Sequence, residues 1–278
     1  MIEILFKAAC LQELQAIKPG NVHVFADGHG MTVQDFIASA EAVSKVIAKP
    51  NFSLGERIFM SVQATQHVVH CNTNLGIILL CAPFMHIACE PISMRLSEHL
   101  KKMLNSTTIE DATFCFKAIV LANPAGLGES AQHDVHKPAD CTLQQAMQAA
   151  ASYDLIARQY LNNFADIVDF GLPQYTHALA QWQNASWATT AVYLHFLTTY
   201  LDTHIVRKHG EIVAKQLQSE AAQHLQVFTA LENPKLYLAK LLQWDADLKA
   251  RGINPGTSAD MTVASLLVHA LQSRFNIN

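Results

Sequence analysis

Apolar residues recur at helical spacing through almost all of this 278-residue sequence, and this periodicity constrains the fold more than any other feature. The first stretch places Ile4, Ala8 and Leu11 on one face of a helix that should end near the Gly/Pro-rich break at 17–31. Strand-like alternation over more than four residues is nearly absent, and only 113–121 is arguable. The sequence therefore predicts an all-α fold.

Capping sequences mark several helix starts. Thr32-Val33-Gln34-Asp35 and Ser53-Leu54-Gly55-Glu56 match the capping box, in which an N-terminal hydroxyl and an acidic side chain satisfy backbone N–H groups reciprocally. A third start at Thr142 should open a helix that runs through Tyr160. Further helices are predicted over 163–182, 186–201, 211–230, 236–250 and 258–273.

The breaks between helices are short. They fall at 17–31, 122–140 and 251–257, and none has the length of an interdomain linker. We therefore expect one compact multi-helix domain over 1–278, with polar loops at helix ends forming the site. The stretch 122–140 is too long and polar for a plain connection, and we interpret it as a surface or lid loop.

Charge and hydropathy exclude two classes of partner. Half of the residues are apolar, 15% are charged and the formal net charge is −4, which is typical of a globular protein. Lys and Arg form no basic stripe, so nucleic acid is not expected as a partner. The longest apolar run, Leu75 to Cys89, is short for a membrane span and contains Pro83 and His86, so it predicts a buried helix and no membrane partner.

The N-terminus and the cysteines indicate a cytoplasmic protein. The first residues already carry charges in an amphipathic pattern, which is not typical of a signal peptide. Six cysteines occur without a CxxC pair, and we interpret them as reduced core thiols.

The first of two polar clusters, Asn72-Thr73-Asn74-Leu75-Gly76, interrupts apolar helical sequence. Polar groups in such surroundings are costly unless they are paired or bind something. A kink in a buried helix is the alternative, because Asn, Thr and Gly are poor helix-interior residues. Three successive hydrogen-bonding side chains exceed what a kink requires, so Asn72, Thr73 and Asn74 are predicted to bind a ligand.

The second cluster runs from Asp202 to Gly210, directly after the predicted helix 186–201. A carboxylate at a helix C-terminus opposes the helix dipole, so Asp202 would need a metal ion, Arg207 or Lys208 in compensation. This set suits a phosphorylated ligand held with a metal. The alternative is an ordinary helix C-terminus, which attracts Arg, Lys and Gly through the dipole and capping alone.

Weaker patterns allow two interpretations each. In the turn that contains Lys18 and Asn21, the lysine could contact a phosphate and the amide could orient a ligand, or the segment could be a plain loop. Ser258 lies in a helix start with a Thr257/Asp260 capping box, which could bind an anion or simply cap the helix. A metal site at His133-Asp134-Val135-His136 is not favoured, since those residues lack partners at helical spacing.

Taken in order, these strings resemble the triphosphoribosyl-dephospho-CoA synthase family over about residues 8–270. Its members carry a Lys-Pro-Gly turn, a His-x-x-Met segment before a Phe-x-x-Ser helix, an Asn-Thr-x-x-Gly segment, an Asp-Thr segment ending in Gly, and a late Pro-Gly-x-Ser-Ala-Asp. The matching residues here are Lys18-Pro19-Gly20, His29-Gly30-Met31 (one residue shorter than the family segment) with Phe36 and Ser39, Asn72 to Gly76, Asp202-Thr203 through Gly210, and Pro255 to Asp260.

The resemblance implies an all-α enzyme that transfers a 5-triphosphoribosyl group from ATP to the ribose 2′-hydroxyl of 3′-dephospho-CoA and releases adenine. ATP, with Mg²⁺, and dephospho-CoA or a related acceptor would be its small-molecule partners, and a homo-oligomer is left open. The expected catalytic residues are Asp202 and Thr203, with Asp202 also a metal ligand. The expected nucleotide- and phosphate-binding residues are Lys18, Asn21, Asn72, Thr73, Asn74, Arg207, Lys208 and Ser258.

Two departures from the family pattern keep alternatives open. In the first cluster, citrate-lyase-type members have His and Lys where this chain has Asn74 and Leu75. In the second, they have Asn where it has His204, and small residues where it has Arg207-Lys208-His209. Charge has thus moved from the first cluster to the second. The alternatives are the same ribosyl transfer to another acceptor, such as a precursor of a pterin cofactor that carries C1 groups, and a nucleotide-binding helical protein without catalysis.

Overall fold

The structure is a computed structural model that describes residues 2–90, 95–128 and 132–275. These residues form fourteen α-helices, a π-helical turn at Asp166–Gly171 and a 3₁₀ turn at Pro234–Tyr237. The helices are α1 (Ile2–Gln15), α2 (Val33–Ile47), α3 (Leu54–Val69), α4 (Leu75–Ala88), α5 (Leu96–Asn105), α6 (Ile109–Ala122), α7 (Leu143–Ala150), α8 (Leu155–Leu161), α9 (Leu172–Trp182), α10 (Ala185–Thr199), α11 (Thr203–His209), α12 (Glu211–Thr229), α13 (Leu238–Ala250) and α14 (Gly256–Phe275).

The all-α prediction is confirmed. The described part of the chain contains isolated β-bridges but no strand. The interpretation of 113–121 as a strand is wrong, because this segment lies inside α6. Thr108 and Asp111 form a capping box at the start of that helix, so local capping and tertiary packing override the brief alternation of side chains.

The apolar run that could have suggested a membrane is the central buried helix α4. Eleven of its fourteen residues are buried, which explains why it has no polar face. Pro83 lies inside this helix. Within the described ranges, no helix combines the length and the hydrophobicity that a bilayer crossing requires.

The core is one large cluster of buried apolar side chains, with a small satellite around Phe116 and Cys141. The long helix α14 packs against α1, α4 and α10, while α3 packs against α2 and α6. Because α4 and α14 lie side by side in this core, their first turns are adjacent.

The capping boxes predicted at Thr32, Ser53 and Thr142 are all present, with their reciprocal hydrogen bonds. The helix that begins at Thr142 ends at Ala150, however, and does not run on to residue 160. Asp154 caps a new helix, α8, by accepting hydrogen bonds from the backbone of its first turn.

Two other predicted helices need correction. The stretch 163–182 contains the π-helical turn before α9 begins at Leu172. The capping box of Thr257 and Asp260 is wrong, because α14 begins at Gly256 and both residues lie inside the helix. Their side chains are therefore available for contacts other than capping their own helix.

The turn after α1 is tied to the middle of α10. The Tyr193 hydroxyl donates a hydrogen bond to the Pro19 carbonyl oxygen at 2.7 Å, and the Thr190 hydroxyl donates to the Ile17 carbonyl oxygen at 2.9 Å. Gly20 follows with φ +85°, and a Cβ there would lie 2.9 Å from the Ile253 carbonyl oxygen. The turn is thus held against both α10 and the loop before α14.

We expect Tyr193→Phe to lower the free energy of unfolding by about 1 kcal/mol, since the buried Pro19 carbonyl would lose its donor. Tyr153→Phe is the control, because this side chain is 61% exposed, and it should change stability by less than about 0.5 kcal/mol. Urea denaturation of both variants measures the difference. Equal losses would contradict the account of the turn.

Candidate functional site

A cavity of about 650 Å³ opens where several helix ends meet. The turn after α1, the first turns of α4 and α14, the helix α11 and the loop after α6 all contribute to its wall. Both polar clusters of the sequence line it, although about 130 residues separate them along the chain. This size suits a nucleotide-like ligand.

Four carboxylates line the cavity: Glu13 of α1, Asp134 in the loop after α6, Asp154 before α8 and Asp260 of α14. The Asp260 carboxylate accepts no hydrogen bond from the residues that the structure describes. Burial raises the pKa of Asp260 well above its usual range, and the negative charges of Glu13 and Asp202 raise it further. Such a group at the floor of a cavity is available to a ligand.

Gly76 makes room for this carboxylate. A Cβ at position 76 would lie 1.9 Å from Asp260 Oδ2, so no larger residue fits while the carboxylate stays in place. Gly76 closes the first polar cluster and Asp260 ends the last family motif. Packing between α4 and α14 brings the two motifs into contact.

Lys18 forms a fully buried ion pair behind the cavity wall. Its Nζ lies 2.6 Å from Glu13 Oε1 and donates hydrogen bonds to Asn21 Oδ1 and the Val22 carbonyl oxygen. The three ammonium hydrogens are matched by these three acceptors. Burial lowers the pKa of Lys18 and raises that of Glu13, while their mutual attraction opposes both shifts.

Of the two residues predicted in this turn, Asn21 lines the cavity and Lys18 does not. The Asn21 amide group donates to Asn254 Oδ1 at 2.8 Å, so it is held from two sides. The geometry favours an indirect role for Lys18, which positions Glu13 and Asn21. A direct contact of Lys18 with a phosphate stays a prediction.

The part of the cavity wall formed by α11 is basic. Arg207 and Lys208 of α11 line the cavity together with His29 and His204. Burial, together with the nearby charges of Arg207 and Lys208, lowers the pKa of His204 to about 4. His204 is therefore neutral near pH 7, and the cationic charge of this wall comes from the arginine and the lysine.

Arg207 is fixed by the loop after α6 and by α8. Its Nε donates to the Ala125 carbonyl oxygen at 3.0 Å, and Nη1 lies 3.4 Å from Asp154 Oδ2. A Cβ at Gly126 would approach the Arg207 side chain to 2.8 Å. The long polar loop thus places a cation at the cavity.

The first polar cluster begins α4 at the cavity wall. Asn72 Oδ1 accepts a hydrogen bond from the Leu75 backbone N–H at 3.0 Å, and Asn74 Oδ1 accepts from the Thr65 hydroxyl at 2.9 Å. The Thr73 hydroxyl lies 2.6 Å from that of Ser39. All three predicted residues line the cavity, and the contacts fix their side chains there.

Asp202 has a different place from the one expected. It is the N-cap of α11 and not the C-terminal end of the preceding helix, so the helix dipole favours its charge. Oδ1 accepts from the Ile205 backbone N–H, and Oδ2 accepts from both the backbone N–H and the hydroxyl of Ser258. Burial raises the pKa of Asp202, and these hydrogen bonds oppose the shift.

These contacts give Asp202 and Ser258 structural roles, because they join the first turns of α11 and α14. Neither residue lines the cavity, and Asp202 is 1% exposed. Thr203, by contrast, lines it and lies 3.3 Å from the Thr257 hydroxyl. Of the predicted pair Asp202 and Thr203, only Thr203 can meet a ligand without rearrangement.

Comparison with known proteins shows the family of the chain that forms this cavity. The whole chain, residues 1–278, matches the CitG family, described as ATP:dephospho-CoA triphosphoribosyl transferase. The chain belongs to this family. No curated protein gives a significant match. A crystal structure from Archaeoglobus fulgidus, provisionally named a triphosphoribosyl-dephospho-CoA synthase, has the same fold, with a TM-score of 0.64 and 21% identity over 84% of this chain and 95% of that one.

Membership confirms the resemblance that the motifs indicated. A CitG-family protein is an ATP-dependent transferase, with ATP and dephospho-CoA as the substrates that the family description names. The alternatives with another acceptor or without catalysis are not favoured. Asn74 and Leu75 carry no charge, and the cations Arg207 and Lys208 line the same cavity.

Sequence reasoning missed Glu13 and Asp154, and it interpreted Asp260 only as a helix cap. Glu13 and Asp154 stand in no family string, so their place depends on tertiary packing. Asp260 had a usable signal, since it ends the Pro-Gly-x-Ser-Ala-Asp motif. Because Thr257 and Asp260 also match the capping-box pattern, the sequence was interpreted as a helix start.

We expect Asp202→Asn to lower the free energy of unfolding by about 1.5–3 kcal/mol, because an amide cannot accept the same three hydrogen bonds. Asp169→Asn, at an exposed position on the π-helical turn, is the matched control and should be nearly neutral. Chemical denaturation measures both. Unchanged stability in Asp202→Asn would contradict the conclusion that Asp202 joins the first turns of α11 and α14.

Asp260→Asn should have the opposite effect on stability. Because the folded-state pKa of Asp260 is raised above the value of 3.8 for a free carboxyl, wild-type stability falls as pH rises through the window between the two. The variant lacks this loss, so its melting temperature should exceed that of wild type increasingly as pH rises through that window. Thermal unfolding over a pH series checks this. A constant difference at all pH values would contradict the assignment.

Proposed function

We propose that this cavity binds ATP with its triphosphate at the basic wall and its ribose C1′ at the carboxylates, and transfers the triphosphoribosyl group to dephospho-CoA. The observation that carries the proposal is the Asp260 carboxylate, which has no hydrogen-bond donor among the described residues and lines the same cavity as Arg207 and Lys208. Family membership supplies the reaction.

The phosphates have suitable partners in α11 and the turn after α1. Arg207 has N–H groups beyond those that contact Ala125 and Asp154, and Lys208 lies beside it on the cavity wall. Neutral His204 and His29 can add hydrogen bonds. The side chains of Asn21, Asn72, Thr73 and Asn74, already oriented by protein contacts, would hold the ribose or the base.

The carboxylate chemistry follows from the bonds that change. The C1′–N bond to adenine breaks, a C1′–O bond to the acceptor hydroxyl forms, and the hydroxyl proton leaves with adenine. Positive charge develops at C1′ along this path, as in glycoside cleavage. Asp260 can accept the hydroxyl proton and stabilise that charge, and its raised pKa brings it closer to the range that suits a general base. We assign this role to Asp260 in place of Asp202.

The residues fit a magnesium ion. Mg²⁺ prefers oxygen ligands and is usually held by one or two carboxylates together with substrate phosphates and water. Asp154 lies beside Arg207, and Glu13 has an oxygen that does not face Lys18, so these two residues would hold the ion with the triphosphate. When bound, it would neutralise phosphate charge. A cytoplasmic location and a homo-oligomeric state remain predictions.

Asp260→Asn should lower the rate of adenine release from ATP by on the order of 10²–10⁴, the usual contribution of a positioned proton-transfer group. The measurement is adenine formation with dephospho-CoA and Mg²⁺ present. Asp169→Asn should keep wild-type activity. If Asp260→Asn stays active, or if folded wild-type protein releases no adenine, the proposed site is wrong.

Arg207→Ala should weaken ATP binding by about 1.5–3 kcal/mol, or roughly tenfold to more than a hundredfold in Kd, since a charged hydrogen bond to phosphate is lost. Lys215→Ala serves as the control, because this exposed lysine of α12 pairs only with Glu211. Calorimetric titration with ATP compares the two variants. An equal Kd in both would place the phosphates elsewhere.

A further inference from the structure

A second group of potential metal ligands lies outside the carboxylates of the cavity. His133, Asp140 and Cys141 each direct one ligand atom toward the others, and all three atoms lie within 4.8 Å of one another. His133 Nδ1 is 2.7 Å from Asp140 Oδ1. Among the described residues, this is the one such group of three.

We propose that His133, Asp140 and Cys141 bind a transition-metal ion of the zinc class, with His133 Nδ1, an Asp140 carboxylate oxygen and the Cys141 sulfur as protein ligands and water in the fourth position. The site would close the loop between residues 133 and 141 at its two ends. It is distinct from the magnesium site proposed for the nucleotide.

The donor atoms select the kind of metal. Imidazole nitrogen and thiolate sulfur suit zinc, whereas magnesium takes oxygen ligands. Three protein ligands and one water give the four-coordinate arrangement that zinc adopts when one position stays open. The Cys141 S–H bond breaks on binding, the proton passes to solvent and a metal–sulfur bond forms, with no change of oxidation state.

The present geometry needs only a small adjustment. Ligand atoms at about 2.1 Å from a tetrahedral zinc ion lie about 3.4 Å apart, so the contact between His133 and Asp140 would open by less than about 1 Å. In that step Nδ1 gives up its hydrogen-bonding role and Nε2 carries the ring proton. Asp140 is exposed and Cys141 is buried, so the ion would enter from the solvent side.

The site bears on the substrate cavity through the chain. His133, Asp134 and Val135 line that cavity, as does Leu143, which follows Cys141 by two residues. A metal ion would tie both edges of this wall segment together. Since an ion that binds only the folded state stabilises it by mass action, metal binding should raise the melting temperature.

The test is a Co²⁺ titration of the chelator-treated full chain, followed by absorption spectroscopy. We expect one equivalent to bind with a thiolate-to-cobalt charge-transfer band, and Zn²⁺ to displace it and raise the melting temperature. Cys141→Ser should abolish the band and weaken binding at least tenfold. Cys71→Ser, at a half-buried cysteine outside the group, is the control and should retain the charge-transfer band and the metal affinity.

Four results would overturn the proposal. They are the absence of a charge-transfer band in wild type, its persistence in Cys141→Ser, its loss in Asp260→Asn, and a dimer held together by the metal on size exclusion. The Asp260→Asn variant separates this site from the nucleotide site. Because none of these readouts is enzymatic activity, the result does not depend on whether the proposed transferase assignment is right.

Discussion

The Asp202 carboxylate fixes the wall of the cavity, because it joins the starts of two helices that come from distant parts of the chain. One oxygen caps α11 and the other accepts two hydrogen bonds from Ser258 in the first turn of α14. This link joins the helix that carries Arg207 and Lys208 to the helix that carries Asp260, and all three residues line the cavity. A buried charge is tolerated there because all of its contacts are donors from helix N-termini.

The Asp260 carboxylate lowers the stability of the folded protein when it is charged. It has no hydrogen-bond donor in the part of the chain that the structure describes, and its charge is opposed by Glu13 and Asp202. Glu13 is balanced by the buried Lys18, whereas Asp260 is left for a ligand to balance. This pattern is typical of active sites, where groups with perturbed pKa values are kept at the expense of stability.

Helical periodicity and capping predicted the fold class and the starts of α2, α3 and α7, because both depend on local sequence. The two polar clusters were singled out because polar residues in apolar sequence are costly unless they are paired or bind something. Residues of both clusters line the cavity, and their contact with a ligand stays a prediction. The role of Asp202 could not be predicted locally. The helix predicted over 186–201 would place Asp202 at a helix C-terminus. In the structure α10 ends at Thr199, and the chain turns before Asp202 caps α11. The position of Asp260 in the cavity could not be predicted locally either, because it depends on the packing of α14 against Gly76 of α4.

The most direct test of the central claim is a crystal structure with Mg²⁺ and an ATP analogue that cannot lose adenine. We predict that the ribose C1′ lies within about 4 Å of the Asp260 carboxylate, with the triphosphate on Arg207 and Lys208. Asp202 should keep its contacts with Ile205 and Ser258. A complex in which Asp202 leaves those partners to bind the metal or the ribose, while Asp260 contacts neither, would contradict the account.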